Sequence, residues 1–249
     1  MKISIITVTY NSRDTIKDTI ESVRSQTYDD IEYIIIDGGS TDGTIEIVKE
    51  YENYVDVFIS EPDEGIYDAM NKGIALASGD VIGFLHSDDE YYTSSVIEKI
   101  AQEFKKGSLD GIYADLIYVN SKNRVIRYWR STEFKPNMLK KGWMPPHPTL
   151  FLKKQIYEKY GMFDVRYKIA ADYDFILRIF KQNLHIYYLP TIIYKMRLGG
   201  VSNKSIGNIL KKTAEDYQII KKNGIGGLGT LMYKNFSKIG QFSLGKKPL

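Results

Sequence analysis

Two adjacent carboxylates, Asp88 and Asp89, follow directly on an apolar run in the segment DVIGFLHSDDE, which begins at residue 80. Crowding two negative charges is unfavourable unless a cation or hydrogen bonds offset their repulsion. Carboxylate oxygens are the ligands that Mg²⁺ and Mn²⁺ prefer, and both ions are often shared with phosphate oxygens. The pair therefore predicts a divalent metal site, although Asp89 could instead cap a helix beginning in YYTSSVIEKI.

Polar and acidic segments also follow the other apolar runs of the first half. These segments are TYN at 9–11, DGGSTDG at 37–43 and SEPDEG at 60–65. Each loop alone could carry its acids as turn formers or helix caps. In an open parallel sheet, however, the carboxyl ends of the strands meet at one edge, and ligands bind there. Several acidic loops on one edge therefore favour a binding site.

The elements that would position these loops alternate between strands and helices. Nearly continuous apolar runs rich in Ile and Val predict strands over 2–9, 31–36, 55–59 and 81–85. The segments between them predict helices over 13–25, 44–51 and 66–77, the last of which ends at Gly79 as a C-cap. With right-handed crossovers, this order predicts an α/β fold, an open parallel sheet flanked by helices.

The second half is less regular. It predicts a β-hairpin over 115–130, a strand starting in HPTLFLKK, a helix over 172–182 and two strands near 185–188 and 192–196. Gly199 and Gly200 predict a mobile loop, followed by a helix from Lys204 to about Lys222, a glycine-rich joint and a shorter basic segment. We expect one domain over 1–203, with a nucleotide-binding half (1–90) and an acceptor-binding half (91–203), and a helical extension over 204–249.

Composition narrows the class of protein. The 249 residues are 43% hydrophobic, which is enough for a proper core. The absence of cysteine excludes disulfides, thiolate metal sites and a cysteine nucleophile. No apolar run approaches the roughly 20 residues that span a bilayer, and we interpret the first residues, MKISIITVTYNSRD, as a strand and not a signal peptide. We expect a globular, soluble, cytoplasmic protein.

Charge is distributed unevenly along the chain. Residues 1–100 carry 7 Lys and Arg against 21 Asp and Glu, whereas residues 204–249 carry 9 Lys against 2 acids. The acidic half argues against nucleic-acid binding and favours a cation. The basic tail either contacts an anionic partner such as a lipid headgroup, pairs with a second copy of the chain, or forms a solvated face.

The common phosphate-binding loops are missing. No G-x-x-x-x-G-K-[ST] motif is present, and DGGSTDG lacks the G-x-G-x-x-G spacing. If the sheet edge binds a nucleotide, its diphosphate must be neutralised in another way. A divalent cation held by Asp88 and Asp89 would supply that charge.

Five segments, SIITVTYNS, IIIDGGSTDGT, SEPDEGIYDAMNKGIALASGD, IGFLHSDD and AADYDFILR, together resemble the family 2 glycosyltransferases of the GT-A fold. These are the inverting enzymes of bacterial capsule, O-antigen and exopolysaccharide assembly. The resemblance is dense over 2–89 and returns over 147–200. It implies a Rossmann-like, mostly parallel sheet and transfer of a sugar from a nucleotide sugar, expected to be a UDP-sugar, to a hydroxyl of a growing lipid-linked glycan at the inner face of the membrane.

The resemblance also assigns roles in donor binding. Asp37 would bond the nucleobase, with Thr9 and Tyr10 forming its pocket. The residues expected along the nucleoside and donor are Glu61, Asp68, Asn71, His86, Ser87 and Arg197. Asp68 and Asn71 lie three apart on one helix face, which is also what a solvated face would show. Arg197 could close over the diphosphate or lie plainly on the surface.

The segment HSDD corresponds to the family's metal-binding D-x-D motif, with His86 in place of the first Asp. Asp88 is then the expected direct ligand of Mn²⁺ or Mg²⁺, and Asp89 is the next candidate. His86 could contact the base or ribose. Because an imidazole is a poorer outer-shell anion than a carboxylate, we expect weaker metal affinity than is usual in the family.

The resemblance aligns Asp172 with the general base, with Ala171 in place of the usual Glu. An Asp at a helix start is also an ordinary cap, and Asp174 is the alternative base. His147 could be an acceptor- or donor-side residue or could order its proline-rich loop. Trp129 and Trp143 are candidates for sugar stacking, although both could belong to the core.

Two other functions fit an acidic sheet edge. Nucleotidyl transfer would use a similar metal site, but TYNSRDT lacks the Gly- and Arg/Lys-rich loop usual after the first strand of that class. A catalytically silent module that binds sugar nucleotides would keep the donor site without the base.

Overall fold

Nine strands of the computed structural model form one mixed sheet within the residues that the structure describes, 1–198 and 206–236. The strands are β1 (Ile3–Thr9), β2 (Ile31–Asp37), β3 (Val57–Ser60), β4 (Val81–Phe84), β5 (Glu90–Tyr91), β6 (Gly111–Val119), β7 (Val125–Trp129), β8 (Phe151–Lys153) and β9 (Ile186–Arg197). The α-helices are α1 (Ile16–Arg24), α2 (Thr44–Lys49), α3 (Ile66–Leu76), α4 (Val96–Lys106), α5 (Lys154–Tyr160), α6 (Ala171–Phe180), α7 (Ile206–Lys222) and α8 (Leu228–Phe236).

The strand order is β3-β2-β1-β4-β8-β6-β9-β5, with β7 paired to β6. Strands β1 to β4 are mutually parallel. The short β8 is antiparallel to both β4 and β6, so β6 runs in the same direction as β4, and β9 is parallel to β6. The carboxyl ends of β1 to β4, β6 and β9 therefore lie at one edge of the sheet, which we call the rim.

Helices cover both faces of the sheet because successive strand residues point to opposite sides. Ile6 and Ile34 pack in one core with residues of α3, α5, α6 and α7. Ile5 and Ile35 pack in a second core with residues of α1, α2 and α4. The near-continuous apolarity of β1 and β2 thus fills two cores at once, as predicted for a covered parallel sheet.

The predicted strands and helices of the first half are confirmed, with ends that differ by up to three residues. The predicted C-cap at Gly79 is wrong, because α3 ends at Leu76 and Ala77 is the C-cap residue. Gly79 instead permits close approach to β1: a Cβ there would lie 2.6 Å from Ser4 Oγ and 2.8 Å from Ser4 N. A side chain would therefore force the two segments apart.

The second half departs further from the prediction. The hairpin of β6 and β7 is confirmed, but β5 and α5 were not predicted. The helix considered in YYTSSVIEKI is α4, and its N-cap residue is Ser95 and not Asp89. His147 begins a 3-10 turn, and the strand of that segment starts only at Phe151. The two strands expected around Pro190 are one strand, β9. The predicted loop at Gly199 and the helix start at Lys204 lie outside the described residues.

The C-terminal helices pack against the sheet domain. Lys234 Nζ of α8 lies 2.6 Å from Asp216 Oδ1 of α7, and both side chains are only 2% exposed. Ile219 and Ile220 of α7 are fully buried in the core that also contains α6. The described part of the chain contains no helix long and apolar enough to cross a membrane.

Gly83 in β4 provides a test of this packing. A Cβ at this position would lie 2.3 to 2.9 Å from ring atoms of Phe151 in β8. Overpacking of this kind typically costs about 1–3 kcal/mol, so Gly83→Ala should lower Tm by roughly 2–4 °C per kcal/mol. Gly107→Ala is the control, since a Cβ there meets nothing within 4 Å. Equal Tm values for the two variants would contradict the packing of β4 against β8.

Candidate active site

The rim is built from the ends of adjacent strands. Thr9 at the end of β1 is paired in register with Asp37 at the end of β2, and Asp37 with Ser60 at the end of β3. Beyond β4, the Ser87 hydroxyl lies 2.9 Å from the Ser12 hydroxyl in the loop after β1. The loops predicted to share one edge therefore meet there.

Asp37 holds its own loop in place. Its carboxylate has no exposed surface. It accepts hydrogen bonds from the backbone N–H groups of Gly39 (3.0 Å) and Ser40 (2.9 Å) and from the hydroxyls of Ser40 and Ser60. The carboxylate thus organises the DGGST turn from beneath. Its direct contact with a nucleobase stays a prediction.

The exposed aromatic group of this loop cluster is Tyr10, which is 64% exposed. A Cβ on Gly38 would lie 2.4 Å from Asp63 Oδ2 and 3.4 Å from Tyr10 Cδ2, so both side chains lie against this glycine. Thr9 is buried beside them, and its Oγ1 makes no hydrogen bond to any described residue. The arrangement leaves an aromatic face and an unsatisfied hydroxyl at the rim.

Glu61 and Asp68 both pair with the ammonium group of Lys72, which was not predicted from the sequence. Lys72 Nζ lies 2.8 Å from Glu61 Oε1 and 3.4 Å from Asp68 Oδ2. Asn71 has a separate partner, since its amide accepts a hydrogen bond from Phe163 N at 3.0 Å and donates one to Phe163 O at 2.9 Å. Asn71 therefore clamps α3 to the segment before α6, and any donor contact would have to compete with both bonds.

Asp88 and Asp89 have different surroundings. Asp88 is half-buried, whereas Asp89 is 1% exposed and accepts a hydrogen bond from Arg197 N at 2.9 Å. Burial and the neighbouring charge of Asp88 raise the pKa of the Asp89 carboxyl well above its usual range. Asp89 thus ties the end of β9 to the rim, and Asp88 is the more accessible of the two carboxylates.

A divalent cation fits this donor set only if it is shared with a ligand. The described residues contain no group of three or more His, Cys, Asp or Glu side chains that could hold a metal ion. Mg²⁺, however, is commonly held by one or two carboxylates together with substrate phosphates and water. Asp88 can supply one such carboxylate, and Asp89 is the next candidate.

The guanidinium of Arg197 is already engaged. Its Nη2 lies 2.5 Å from Asp18 Oδ2 of α1 and 3.1 Å from Glu90 Oε1 of β5. The guanidinium therefore ties β9 to α1 and β5. Closure over a diphosphate, as expected from the sequence, would require breaking both ion pairs.

Asp172 lies in the first turn of α6, with a side chain that is 15% exposed. Its Oδ2 is 3.2 Å from His147 Nδ1, and its Oδ1 is 3.1 Å from the Tyr67 hydroxyl. The same hydroxyl is 2.9 Å from the carbonyl oxygen of Ile169. Asp172 is thus held by one side chain from α3 and one from the 3-10 turn before β8.

The protonation states around Asp172 suit a base. Burial raises the pKa of this carboxyl, but His147 and the ammonium groups of Lys234 and Lys212 outweigh burial, and the pKa lies below its usual value. Burial and the Asp172 charge raise the pKa of Tyr67 well above its usual range. Burial lowers the pKa of His147 despite the nearby carboxylate. At neutral pH, an ionised carboxylate therefore faces a neutral phenol and a neutral imidazole.

His86 connects the rim to the surroundings of Asp172. Its ring centroid is 5.7 Å from that of His147, and its backbone N–H donates to the Tyr194 hydroxyl at 3.0 Å. Burial and His147 lower the pKa of His86 to about 3, so its imidazole is neutral. The segment HSDD and Asp172, far apart in sequence, are thus parts of one site.

The alternative base and the tryptophans belong to structural clusters. Asp174 has no exposed surface and pairs with Arg178 at 3.0 Å and Lys222 at 3.2 Å. The half-buried Trp143 ring packs against Tyr113, Phe134 and Phe180 at the margin of the first core, and its stacking on a sugar stays a prediction. Trp129 is half-buried in the second core. Of Asp172, Asp174 and the two tryptophans, only Asp172 contacts groups near the rim.

Tyr67 was missed from the sequence, and the partner of His147 was not foreseen. Tyr67 lies in SEPDEGIYDAMN, one of the segments that carry the resemblance, so its position beside Asp68 was a signal. His147 was considered without a partner, and its contact with Asp172 needed the folded chain. In a sequence, nothing distinguishes a histidine between two prolines that orders a loop from one that faces a carboxylate.

Comparison with known proteins identifies the family. The model for glycosyl transferase family 2 matches residues 4–182. An uncharacterized glycosyltransferase of Mycobacterium tuberculosis is 36% identical over 182 residues, covering 71% of this chain and 68% of the relative. A PGL/p-HBAD biosynthesis glycosyltransferase of the same species is 29% identical over 206 residues, covering 80% of this chain and 78% of the relative.

Among solved structures, the chain is similar to residues 1–349 of TarS from S. aureus in complex with UDP-GlcNAc. The TM-score is 0.69 at 19% identity, over 99% of this chain and 76% of that chain. At this level of identity, the likeness establishes the fold, which is the GT-A type expected from the sequence. The C-terminal helices are part of the superimposed region, since nearly the whole chain is covered.

The contact between His147 and Asp172 can be tested by NMR titration. The pKa of His147 should lie below its ordinary value of 6.5. Because the Asp172 charge favours the imidazolium form, Asp172→Asn should lower this pKa further. The resonances of the exposed His185 should be the same in both proteins, which makes them an internal control. A His147 pKa that is unchanged or higher in the variant would contradict the contact.

Proposed function

The chain belongs to glycosyl transferase family 2, and from this premise we propose that it transfers a sugar from a UDP-sugar to a hydroxyl of a growing glycan, with inversion at the anomeric carbon. The observation that carries the proposal is the Asp172 carboxylate, which is ionised at neutral pH and lies beside the rim, with the Tyr67 hydroxyl at 3.1 Å and His147 Nδ1 at 3.2 Å. The UDP-GlcNAc complex of TarS supports the choice of donor class.

In this reaction the acceptor oxygen attacks the anomeric carbon from the side opposite the diphosphate. As the new C–O bond forms, Asp172 takes the proton of the acceptor hydroxyl. The bond between the anomeric carbon and the diphosphate oxygen breaks, and its electron pair leaves with the nucleoside diphosphate. Tyr67 and His147 orient the carboxylate without pairing it with a full positive charge, so it keeps more of its basicity than it would in an ion pair.

Donor binding is assigned to the rim. Tyr10 offers an exposed ring for stacking on the base, with Thr9 beneath it and the loop of Asp37 beside it. Asp88 would hold Mg²⁺ or Mn²⁺ shared with the diphosphate, and such an ion, when bound, stabilises the negative charge of the leaving group. Because His86 replaces a carboxylate, the negative charge around that ion is smaller than in a D-x-D site.

The acceptor is proposed to be a lipid-linked glycan of the bacterial surface. One relative is named for PGL/p-HBAD biosynthesis, which supports a biosynthetic role. The exposed face of α8 supports a membrane-bound acceptor: Leu228, Met232 and Tyr233 are 65%, 57% and 53% exposed. Lys141 Nζ lies 6.0 Å from the Tyr233 ring centroid, and apolar groups beside lysines suit an anionic lipid surface.

Replacing the base tests the reaction directly. Asp172→Asn keeps the size of the side chain but cannot accept the proton, so UDP release from a panel of UDP-sugars should fall about 10²- to 10⁴-fold. Binding of UDP, measured by thermal shift, should stay within about twofold of wild type, since Asp172 does not contact the residues assigned to the nucleotide. Asp164→Asn, which loses an ion pair with Arg166 at 2.7 Å nearby, is the control. Unchanged UDP release from Asp172→Asn would exclude Asp172 as the base.

Membrane contact is tested with a triple variant in which Leu228, Met232 and Tyr233 are replaced by Ser. These side chains are exposed, so the fold should be retained, while sedimentation with vesicles of anionic phospholipid should fall at least fivefold. The control replaces Val125 and Ile126, which are 41% and 37% exposed on β7, by Ser. If the triple variant and wild type sediment equally, the proposed membrane contact is wrong. A molecular mass in solution that differs between the two proteins would indicate a dimer instead.

A further inference from the structure

The loop before α6 is held by a carboxylate from a distant element. Glu215 of α7 is 7% exposed. Its carboxylate accepts hydrogen bonds from three consecutive backbone N–H groups: Lys168 at 3.0 Å, Ile169 at 2.9 Å and Ala170 at 2.9 Å. Helix α6 receives no capping hydrogen bond from Ala170, its N-cap residue. Glu215 therefore fixes the three residues that lead into α6, from a helix that is distant in the sequence.

The same loop also contacts the base. The peptide group between Ile169 and Ala170 donates its N–H, that of Ala170, to Glu215 at 2.9 Å and accepts, at the Ile169 carbonyl, a hydrogen bond from the Tyr67 hydroxyl at 2.9 Å. That hydroxyl is 3.1 Å from Asp172 Oδ1. A short chain of hydrogen-bonding groups thus runs from Glu215 through one peptide and one tyrosine to the base. A shift of this peptide would move both the first turn of α6 and one of the two groups that hold Asp172.

Glu215 is itself firmly placed. The adjacent Asp216 lies 2.6 Å from Lys234 of α8 and 3.4 Å from Lys212. One turn further along α7, Ile219 and Ile220 have no exposed surface. Helix α7 therefore cannot turn about its axis without breaking a buried ion pair and exposing core residues, and the Glu215 carboxylate stays aimed at the loop.

We propose that Glu215 is a positioning residue for sugar transfer, which sets the loop at 168–170 and, through it, the Asp172 carboxylate. The inference rests on the proposed function of Asp172. Glu215 lies outside residues 4–182 that match the family model, so the match itself gives it no role. Charge-assisted bonds to N–H groups are among the stronger hydrogen bonds in proteins, and a displacement of about 1 Å at a reacting group can reduce a rate 10²-fold.

The test replaces Glu215 by Gln, which keeps the shape of the side chain but puts an NH₂ group where one carboxylate oxygen accepts hydrogen. We expect kcat for UDP release, from whichever UDP-sugar wild type turns over fastest, to fall at least tenfold. The Kd of UDP should stay within twofold of wild type. Hydrogen exchange at the amides of residues 168–170 should become at least tenfold faster.

Glu32→Gln is the matched control. Glu32 is also 7% exposed and also accepts a backbone N–H, that of Ser78 at 2.8 Å. It lies near the start of β2, at the sheet edge opposite the rim. A comparable loss of thermal stability in this variant, with kcat within twofold of wild type, would separate positioning from general destabilisation. If Glu215→Gln does not fold, Glu215→Asp, which keeps the charge but reaches less far, replaces it under the same criteria.

The outcomes separate this inference from the proposed function. Normal kcat in the Glu215 variant, with faster exchange at 168–170, would overturn the positioning role, as would unchanged exchange at those amides. If Asp172→Asn is inactive while the Glu215 variant is normal, only the positioning role fails. If Asp172→Asn is fully active, the proposed base fails whatever the Glu215 variant does.

Discussion

The buried negative charge of Asp172 is the constraint on which the rest of the site depends. An ionised carboxylate with little access to water is unfavourable unless hydrogen bonds or opposite charges offset its desolvation. Here the contacts are a phenol and a neutral imidazole, with lysine ammonium groups further away. A direct bidentate pair with arginine would hold the charge more strongly but would also make it a poorer base. The observed arrangement keeps the carboxylate ionised at neutral pH and free to accept a proton.

Meeting this constraint draws on most of the chain. Tyr67 comes from α3, next to the acidic rim, and His147 from the turn that precedes β8. His86, in the segment HSDD, packs beside His147, so the rim and the surroundings of Asp172 meet at these two rings. The C-terminal helices complete the site, because Glu215 of α7 holds the loop that leads into α6. The site is therefore a product of tertiary packing, although its rim is assembled from local strand ends.

This difference between local strand ends and tertiary packing explains what could be predicted from the sequence. The parallel strands of the first half were readable because each is a nearly continuous Ile- and Val-rich run. Strand β9 was predicted as two strands, on either side of Pro190, whereas the structure accommodates this proline in a register shift against β6. Asp172 alone is indistinguishable from a helix cap; the resemblance singled it out, and its partners needed the fold. Nothing in the sequence around Glu215 indicated its role, since a single glutamate on a basic helix is typical of a solvated surface.

Transfer from a nucleotide sugar requires first that the rim binds a nucleoside diphosphate, which we propose it does through a cation held by Asp88. This can be measured by thermal melting of wild type and Asp88→Ala with uridine, guanosine, cytidine and thymidine diphosphates, each with and without Mn²⁺. We expect that uridine diphosphate stabilises wild type most, that this stabilisation requires Mn²⁺, and that Asp88→Ala loses it. Stabilisation by no nucleotide, or an equal effect in the variant, would exclude this mode of donor binding.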